Sequence, residues 1–329
     1  MPWTIIPVAS ELKVLMPDGS SRKRTEIPVS KLNSPDADDH MTPWNIISLG
    51  EVLWDLFPDE ERFGGAPANF ACHAAILGGQ VTMLSAVGDD TRGARAVEIL
   101  KKYHVDTSLI QILAGGSTGT VRVQVDGAGK PTFTIHENSA WDQLVWTNEL
   151  VQRIQSADAI CFGTLGQRSP ISRDTIRSCV EAARAAGVVR VLDINLRSPF
   201  YDDAMIRESI QLTSILKLSD EELPAVCRAC DVPDRGAKEV QIRALLNRFH
   251  LEMVVMTRGA DGAMLVTAHE TLEQPGIPTT VTDTVGAGDA FTAAFLSGVL
   301  RQESDSECLL QACRVASKAC SHAGAVPAF

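Results

Sequence analysis

The sequence predicts an α/β protein built on a mainly parallel sheet with helices on both faces. Two observations carry this. Apolar strand-like runs alternate with amphipathic helical stretches through most of the chain, and polar residues able to bind ligands emerge just past the ends of those runs. Residues 1–43 stand outside the pattern. They hold Ser20-Ser21-Arg22-Lys23-Arg24, Ser34-Pro35-Asp36 and Asp38-Asp39 with little apolar periodicity, and are expected to be a disordered extension. Met41 stands directly before the first core strand, so a translation start assigned too early is the other expectation. Arg22-Lys23-Arg24 reads as solvated charge rather than as a nucleic-acid patch.

The elements follow in order. Residues 118–135 alternate polar and apolar through Thr120-Val121-Arg122-Val123-Gln124-Val125 before Asp126-Gly127, which is the texture of a hairpin and not of a βαβ unit. Residues 157–162 read as a buried strand. Ser169 and Pro170 then open a helix as N-cap and first helical residue, and Gly187 closes it. Residues 188–195 form the next strand, so Asp193, Asn195 and Arg197 emerge at its C-terminal end, the edge at which open α/β sheets bind ligands. Residues 252–257 are another strand that delivers its loop to that edge.

The most informative stretch is Asp283-Thr284-Val285-Gly286-Ala287-Gly288-Asp289-Ala290-Phe291. Phe291, Ala294, Phe295, Gly298 and Val299 recur at spacings of three and four, so one apolar face runs for about three turns and the helix starts near Gly286 or Ala287. The first N–H groups of a helix lack intrahelical partners, and its dipole favours negative charge there. Glycines let a phosphate approach those groups closely. Asp289 reads in two ways. It is either a general base for phosphoryl transfer to an alcohol or an acid that merely complements the dipole. Two other phosphate motifs are excluded: no G-x-x-x-x-G-K-[ST] string occurs, and Phe291 occupies the third glycine position of G-x-G-x-x-G.

Composition sets further bounds. With 329 residues, 45% apolar and 22% charged, the chain is long enough for one large domain or two smaller ones and has the composition of a soluble globular protein. Its 41 acidic against 30 basic residues give a charge of −11, which repels nucleic acid and anionic membranes. No apolar run approaches the roughly 18 residues of a membrane span, and no signal-peptide pattern opens the chain, so a cytoplasmic location is expected. The eight cysteines are scattered. Cys227-x-x-Cys230 lacks the second pair or nearby His that a zinc site needs, and fits a helix face.

DTVGAGDAF at 283–291 resembles the C-terminal signature of the ribokinase-like (PfkB) carbohydrate kinases. Phe63-Gly64-Gly65-Ala66-Pro67-Ala68-Asn69-Phe70-Ala71 resembles their N-terminal signature, and Gly50-Glu51-Val52-Leu53-Trp54-Asp55 is like their first strand with its sugar-binding acid. The landmarks Val87-Gly88-Asp89-Asp90, Asp193-Ile194-Asn195-Leu196-Arg197 and Thr257-Arg258-Gly259-Ala260-Asp261-Gly262 keep the family order, so the resemblance spans residues 44–329. It implies a three-layer α/β/α core with a small β-lid, formed by about residues 53–63 and 118–135.

The resemblance also implies roles. Asp289 would be the base and Gly286, Ala287 and Gly288 the anion hole; Asp55, Gly64, Gly65, Asn69 and Arg197 would bind the sugar. Asn195, Ser219, Glu222, Thr257, Gly259 and Gly262 would contact ATP. Glu222 would organise water around Mg2+, and Asp283 with the Val285 carbonyl would hold a monovalent cation, K+. By chemistry alone several of these stay open: Asp55 could be a strand-end acid, Gly64-Gly65 a simple turn, Arg197 a surface ion-pair partner. Ser219-Asp220-Glu221-Glu222 is also a capping-box sequence, with Ser219 as N-cap and Glu222 at the third helical position. Ser219 stands where the family has Asn, which bears on that contact.

The Gly-Gly-Ala-Pro-Ala-Asn turn, the compact first lid segment and D-x-N-x-R look most like fructokinases. The last element is shared with 2-keto-3-deoxygluconate kinases, and Ser198-Pro199-Phe200 departs from both. The expected function is ATP-dependent phosphorylation of a sugar primary hydroxyl, most like fructose, with 2-keto-3-deoxygluconate or ribose as the alternatives. A non-catalytic sugar- or nucleotide-binding or scaffold protein is the contrasting class. The expected partners are a small sugar and ATP, with neither nucleic acid nor membrane, and lid-mediated homodimers are frequent in the family.

Overall fold

Fully apolar runs such as Ile160-Cys161-Phe162 and Val254-Val255-Met256 are strands buried on both faces, as a helix-covered parallel sheet requires. The structure, a computed structural model, describes residues 44–125, 131–233 and 235–327. From the N-terminus its elements are β1 (Asn45–Leu49), β2 (Leu53–Leu56), β3 (Glu61–Gly64), α1 (Ala66–Ile76), β4 (Gln80–Gly88), α2 (Thr91–Lys102), β5 (Ile110–Leu113), β6 (Gly119–Val125) and β7 (Pro131–Ile135). There follow α3 (Asn148–Gln155), β8 (Ala159–Phe162), α4 (Pro170–Ala185), β9 (Val189–Asp193), α5 (Asp203–Gln211), β10 (Ile215–Ser219), α6 (Leu223–Ala229) and α7 (Lys238–Phe249). The chain closes with β11 (Met253–Thr257), β12 (Ala263–Thr267), β13 (Thr271–Gln274), α8 (Ala287–Leu300) and α9 (Asp305–Cys320).

Nine strands form one sheet in the order β13-β12-β11-β10-β9-β8-β1-β4-β5, parallel from β11 through β5 and antiparallel only at β11/β12 and β12/β13. Side chains alternate across it. Ile47, Ile160, Leu192, Leu216 and Val254 meet α3 to α7 on one face, while Ile46, Cys161, Val191, Ile215 and Val255 meet α1, α2, α8 and α9 on the other. The three-layer expectation is met. Each fully buried aliphatic contributes about 1.5–3 kcal/mol of transfer free energy, which is why both faces must be covered.

Local signals set the helix limits. Ser169 is extended ahead of Pro170, and Gly187, at φ 74°, follows the end of α4. The apolar character of α8 exceeds the one-face expectation: residues 290–298 are all buried, because α1 and α9 both pack on the helix. Small residues permit this approach, and a Cβ on Gly298 would lie 2.8 Å from Cys308 Sγ. Cys227 lies in α6 and Cys230 is its C-cap; both are buried in the core.

The hairpin at 118–135 forms as β6 and β7. It joins β2 and β3 in a second sheet ordered β3-β2-β6-β7, with β2 and β6 parallel. Trp54 holds this sheet to α2, donating from Nε1 to the Arg92 carbonyl (3.1 Å) and lying under the Arg95 guanidinium (4.2 Å). The hairpin turn at Asp126-Gly127 and the N-terminal extension, with Arg22-Lys23-Arg24 and Met41, lie outside the described residues. Among the described residues no helix is long and apolar enough to cross a membrane.

Candidate active site

The end of β9 meets the first turn of α8, which also meets α1, and the buried polar groups Asn69, Asp193, Lys217 and Thr292 come together there with Asp289. α8 begins at Ala287 with Gly286 as N-cap at φ 77° and ψ −5°. Only glycine fits, since a Cβ on Gly286 would stand 2.3 Å from the Ala325 carbonyl oxygen. The start of the helix is where its apolar spacing predicted it. The Ala287 N–H turns back to the Thr284 carbonyl at 3.3 Å, a long bond.

Asp289, in the first turn of α8, accepts a hydrogen bond from Asn69 Nδ2 of α1 at 2.9 Å. Burial, and then the negative charge of Asp193, push its carboxyl up to about 7 against the opposing influence of Asn69, Lys217 and Arg197. Asp193 at the end of β9 is buried, and accepts from Lys217 Nζ (3.0 Å) and Thr292 Oγ1 (2.8 Å). Burial works against the Lys217 ammonium, yet the carboxylates of Asp193, Glu222 and Asp289 outweigh it and leave its pKa raised. A Cβ on Gly288 would meet that ammonium at 3.2 Å, so a fixed positive charge lies beside the first turn of α8.

The remaining residues line up around this centre. Gly65 caps α1 at φ 106°, where a Cβ would stand 2.5 Å from the Glu51 carbonyl oxygen. Gly64 pairs with Leu53 in the lid sheet, and a Cβ there would meet Asp55 Oδ2 at 2.9 Å. Burial raises Asp55 to about 6, against Arg197 and Arg62. Glu51, in the β1–β2 connection, is 3% exposed, and burial first, with Asp289 adding, raises it to about 7. Asn195 follows β9 at φ 39°. Arg197 is exposed, and among the described residues no carboxylate is within ion-pair distance of it; its Nη1 donates to the Leu196 carbonyl at 3.2 Å. A small cleft opens between α1 and the ends of β8 and β9, lined by Glu51, Phe70, Thr164, Asp193, Asn195 and Asp289.

Next to the cleft, Ser219 and Thr257 are register partners at the ends of β10 and β11. The reciprocal contacts expected of the Ser219–Glu222 pair form: Ser219 N–H donates to Glu222 Oε2 (2.7 Å) and Glu222 N–H to Ser219 Oγ (3.3 Å). The helix expected to start there does not. Ser219 ends β10 and α6 begins at Leu223 with Glu222 as N-cap, because Pro224, lacking an N–H, fits only the first turn. Glu222 Oε1 also accepts from Leu196 N–H (2.7 Å), so this carboxylate ties the β10 end to the loop after β9. Gly259 at φ 54° and Gly262 at φ 90° shape the turn after Thr257, and a Cβ on Gly262 would stand 2.0 Å from the Gln274 carbonyl oxygen.

Asp283 accepts from the N–H groups of Val285 (3.0 Å) and Gly324 (3.1 Å) and approaches Arg62 of the lid sheet at 3.4 Å. Among the described residues no cluster of three His, Cys, Asp or Glu side chains could hold a metal ion directly. Sequence reasoning passed over Lys217. Its signal was one charged residue inside the strand run Ile215-Leu216-Lys217-Leu218, where burial of an unpaired ammonium is prohibitive.

The layering, the lid sheet and the helix N-termini at the strand ends define a ribokinase-like α/β fold. The pattern of the pfkB family of carbohydrate kinases matches residues 45–328, and the chain belongs to that family as a sugar phosphotransferase. It is 30% identical to a fructokinase of Klebsiella pneumoniae over 76% of this chain and 83% of that protein. A probable chloroplastic fructokinase of Arabidopsis thaliana is 29% identical over 93% of this chain and 81% of its own length. An uncharacterized sugar kinase of Pyrococcus horikoshii, solved in complex with ATP, superposes with a TM-score of 0.73 at 29% identity, covering 85% of this chain and 93% of that one.

Proposed function

We propose that the protein is a fructokinase that transfers the γ-phosphoryl group of ATP to the primary 6-hydroxyl of D-fructose, with Asp289 as the general base. The observation that carries the reading is the Asp289 carboxyl, held by Asn69 in the first turn of α8 with its pKa raised to about 7. A carboxyl with its pKa near neutrality is better matched than an ordinary aspartate to share a hydroxyl proton in the transition state at neutral pH. The hydroxyl proton passes to Asp289 as the oxygen–phosphorus bond forms and the bond to ADP breaks.

Charge on the transferred group is met by the N–H groups of Gly286, Ala287 and Gly288, with Lys217 beside them. Ala287 must share or leave its long bond to Thr284 to take part. Asp55, Gly64, Gly65, Asn69 and Arg197 hold the sugar, and Asn195, Ser219, Thr257, Gly259 and Gly262 the nucleotide. Three of the roughly four lone-pair sites of Glu222 are taken by Leu196 and Ser219 donors, which leaves about one for a water of the nucleotide's Mg2+. That ion would neutralise phosphate charge. Asp283 and the Val285 carbonyl are the groups we assign to K+. Fructose is favoured by the fructokinases among the relatives.

The test is ADP release coupled to sugar-phosphate formation, with fructose, ribose, 2-keto-3-deoxygluconate, adenosine and fructose 6-phosphate as acceptors. Wild type should favour fructose, and Asp289→Asn should lower kcat by roughly 10²- to 10⁴-fold with the fold intact. Near-normal turnover of the variant removes Asp289 as base; preference for another acceptor replaces fructose.

A further inference from the structure

Glu51 is a carboxylate for which the assigned roles leave no task. It is 3% exposed, it lines the same cleft as Asp289, and its Oε2 has no hydrogen-bond partner. The backbone N–H groups of Glu51 itself and of Ala66, at the start of α1, favour its charged form. Oε2 is turned toward Gly166, where a Cβ would still be 3.7 Å away, and no side chain stands there to donate to it.

A buried acceptor without a donor costs about 1–3 kcal/mol, and more when charged, whereas an apolar residue of similar volume would fill the space at no such cost. That cost is recovered when a bound molecule brings the missing donor into the cleft. A sugar hydroxyl is such a donor, and a site built to bind it rejects analogues that lack it. Arg197 acts electrostatically on Glu51, Asp55 and Asp289 alike, so the three carboxylates share one surrounding.

We propose that Glu51 is a further specificity-determining residue whose Oε2 accepts a hydrogen bond from an acceptor-sugar hydroxyl other than the one phosphorylated. This rests on the reading of the cleft as the sugar site. Asp55 would hold the sugar from the lid and Glu51 from the floor.

The experiment compares steady-state kinetics of wild type and Glu51→Gln on fructose and on its 1-deoxy, 3-deoxy and 4-deoxy forms and 2,5-anhydromannitol, which lacks the anomeric hydroxyl. Glu51→Gln should raise the fructose KM about 10- to 100-fold, with the KM for ATP little changed and no loss of stability in urea unfolding. One analogue should lose a similar factor with wild type yet be used like fructose by the variant, whose amide oxygen is kept by the backbone N–H groups of residues 51 and 66 so that an NH2, which cannot accept, faces the sugar. A merely structural Glu51 would instead weaken fructose and every analogue equally.

The proposal is overturned if the fructose KM of the variant is unchanged, or if no single analogue loses its penalty. The analogue series on wild type alone also decides: equal use of all of them overturns the proposal even if the variant does not fold. Failure of the fructose reading shows in wild type, as preference for another sugar of the panel, whose deoxy series then gives the same comparison. Wild type inert on every sugar overturns both.

Discussion

Asp289 shows how one residue's surroundings decide its chemistry. At its ordinary pKa it would be a dipole-complementing acid like many others; burial and the neighbouring Asp193 raise it to about 7. If Asp289 is the base we propose, it must be unprotonated to act, so kcat/KM for the sugar should rise with pH along one limb centred near 7 and then level off. Glu51 is also raised to about 7, so the two must be separated. The limb should persist in Glu51→Gln if Asp289 is its source, and a pH–rate profile of that variant checks it. A variant whose rate is flat from pH 5.5 to 8 would assign the limb to Glu51.

At the scale of elements, the lid sheet depends on the start of α2. Asp90 is the N-cap: its carboxylate accepts from Gly93 N–H (2.7 Å), Thr118 N–H (2.8 Å) and Thr118 Oγ1 (2.7 Å), and Thr118 leads into β6. Burial would raise this carboxyl, but bonds from Thr118 and Gly93 outweigh it and hold the pKa below the usual range. Asp90→Ala removes a cap and leaves buried donors at the base of the lid, and should cost about 2–3 kcal/mol in urea unfolding. It should also raise the sugar KM more than the ATP KM, since Asp55, the acid we propose holds the sugar, sits on β2, the partner of β6. A loss under about 0.5 kcal/mol would show that the lid stands without this tie. Elements of this kind were legible where local chemistry dictates them: the α8 start from its glycines, α4 from Ser169, Pro170 and Gly187, the β6–β7 hairpin from its alternation. The α6 start was not, because Ser219 and Glu222 satisfy a capping pattern while tertiary pairing keeps Ser219 in β10. Lys217 and Glu51 were not legible as site residues, since the acids that act on them, Asp193 on β9 and Asp289 on α8, come from elements distant in sequence.

Over the whole molecule, the site sets how stability responds to pH. Glu51 and Asp289 titrate near 7 and Asp55 near 6 when folded, against ordinary values of 4.5, 3.8 and 3.8. At these three groups the folded chain therefore holds more protons than the unfolded chain between about pH 4 and 7, and their contribution to stability falls as pH rises through that window. Glu61, Asp90, Asp106 and Glu239 are lowered instead, and their contribution is present above about pH 4 and lost in acid. The charge of −11 adds repulsion as pH increases. The ligand-free protein should thus be most stable between about pH 4 and 5 and lose stability toward pH 8. Asp289→Asn removes the largest of the three Asp and Glu shifts. It should stabilise the protein at pH 8 by at most about 4 kcal/mol, and by less where water in the cleft screens the charge. At pH 5, about one unit into the window rather than three, the stabilisation should be less than half as large. Urea unfolding of wild type and variant at both pH values measures the difference; an equal effect of the substitution at pH 5 and pH 8 would mean that Asp289 ionises as an ordinary aspartate and is not the tuned base of this site.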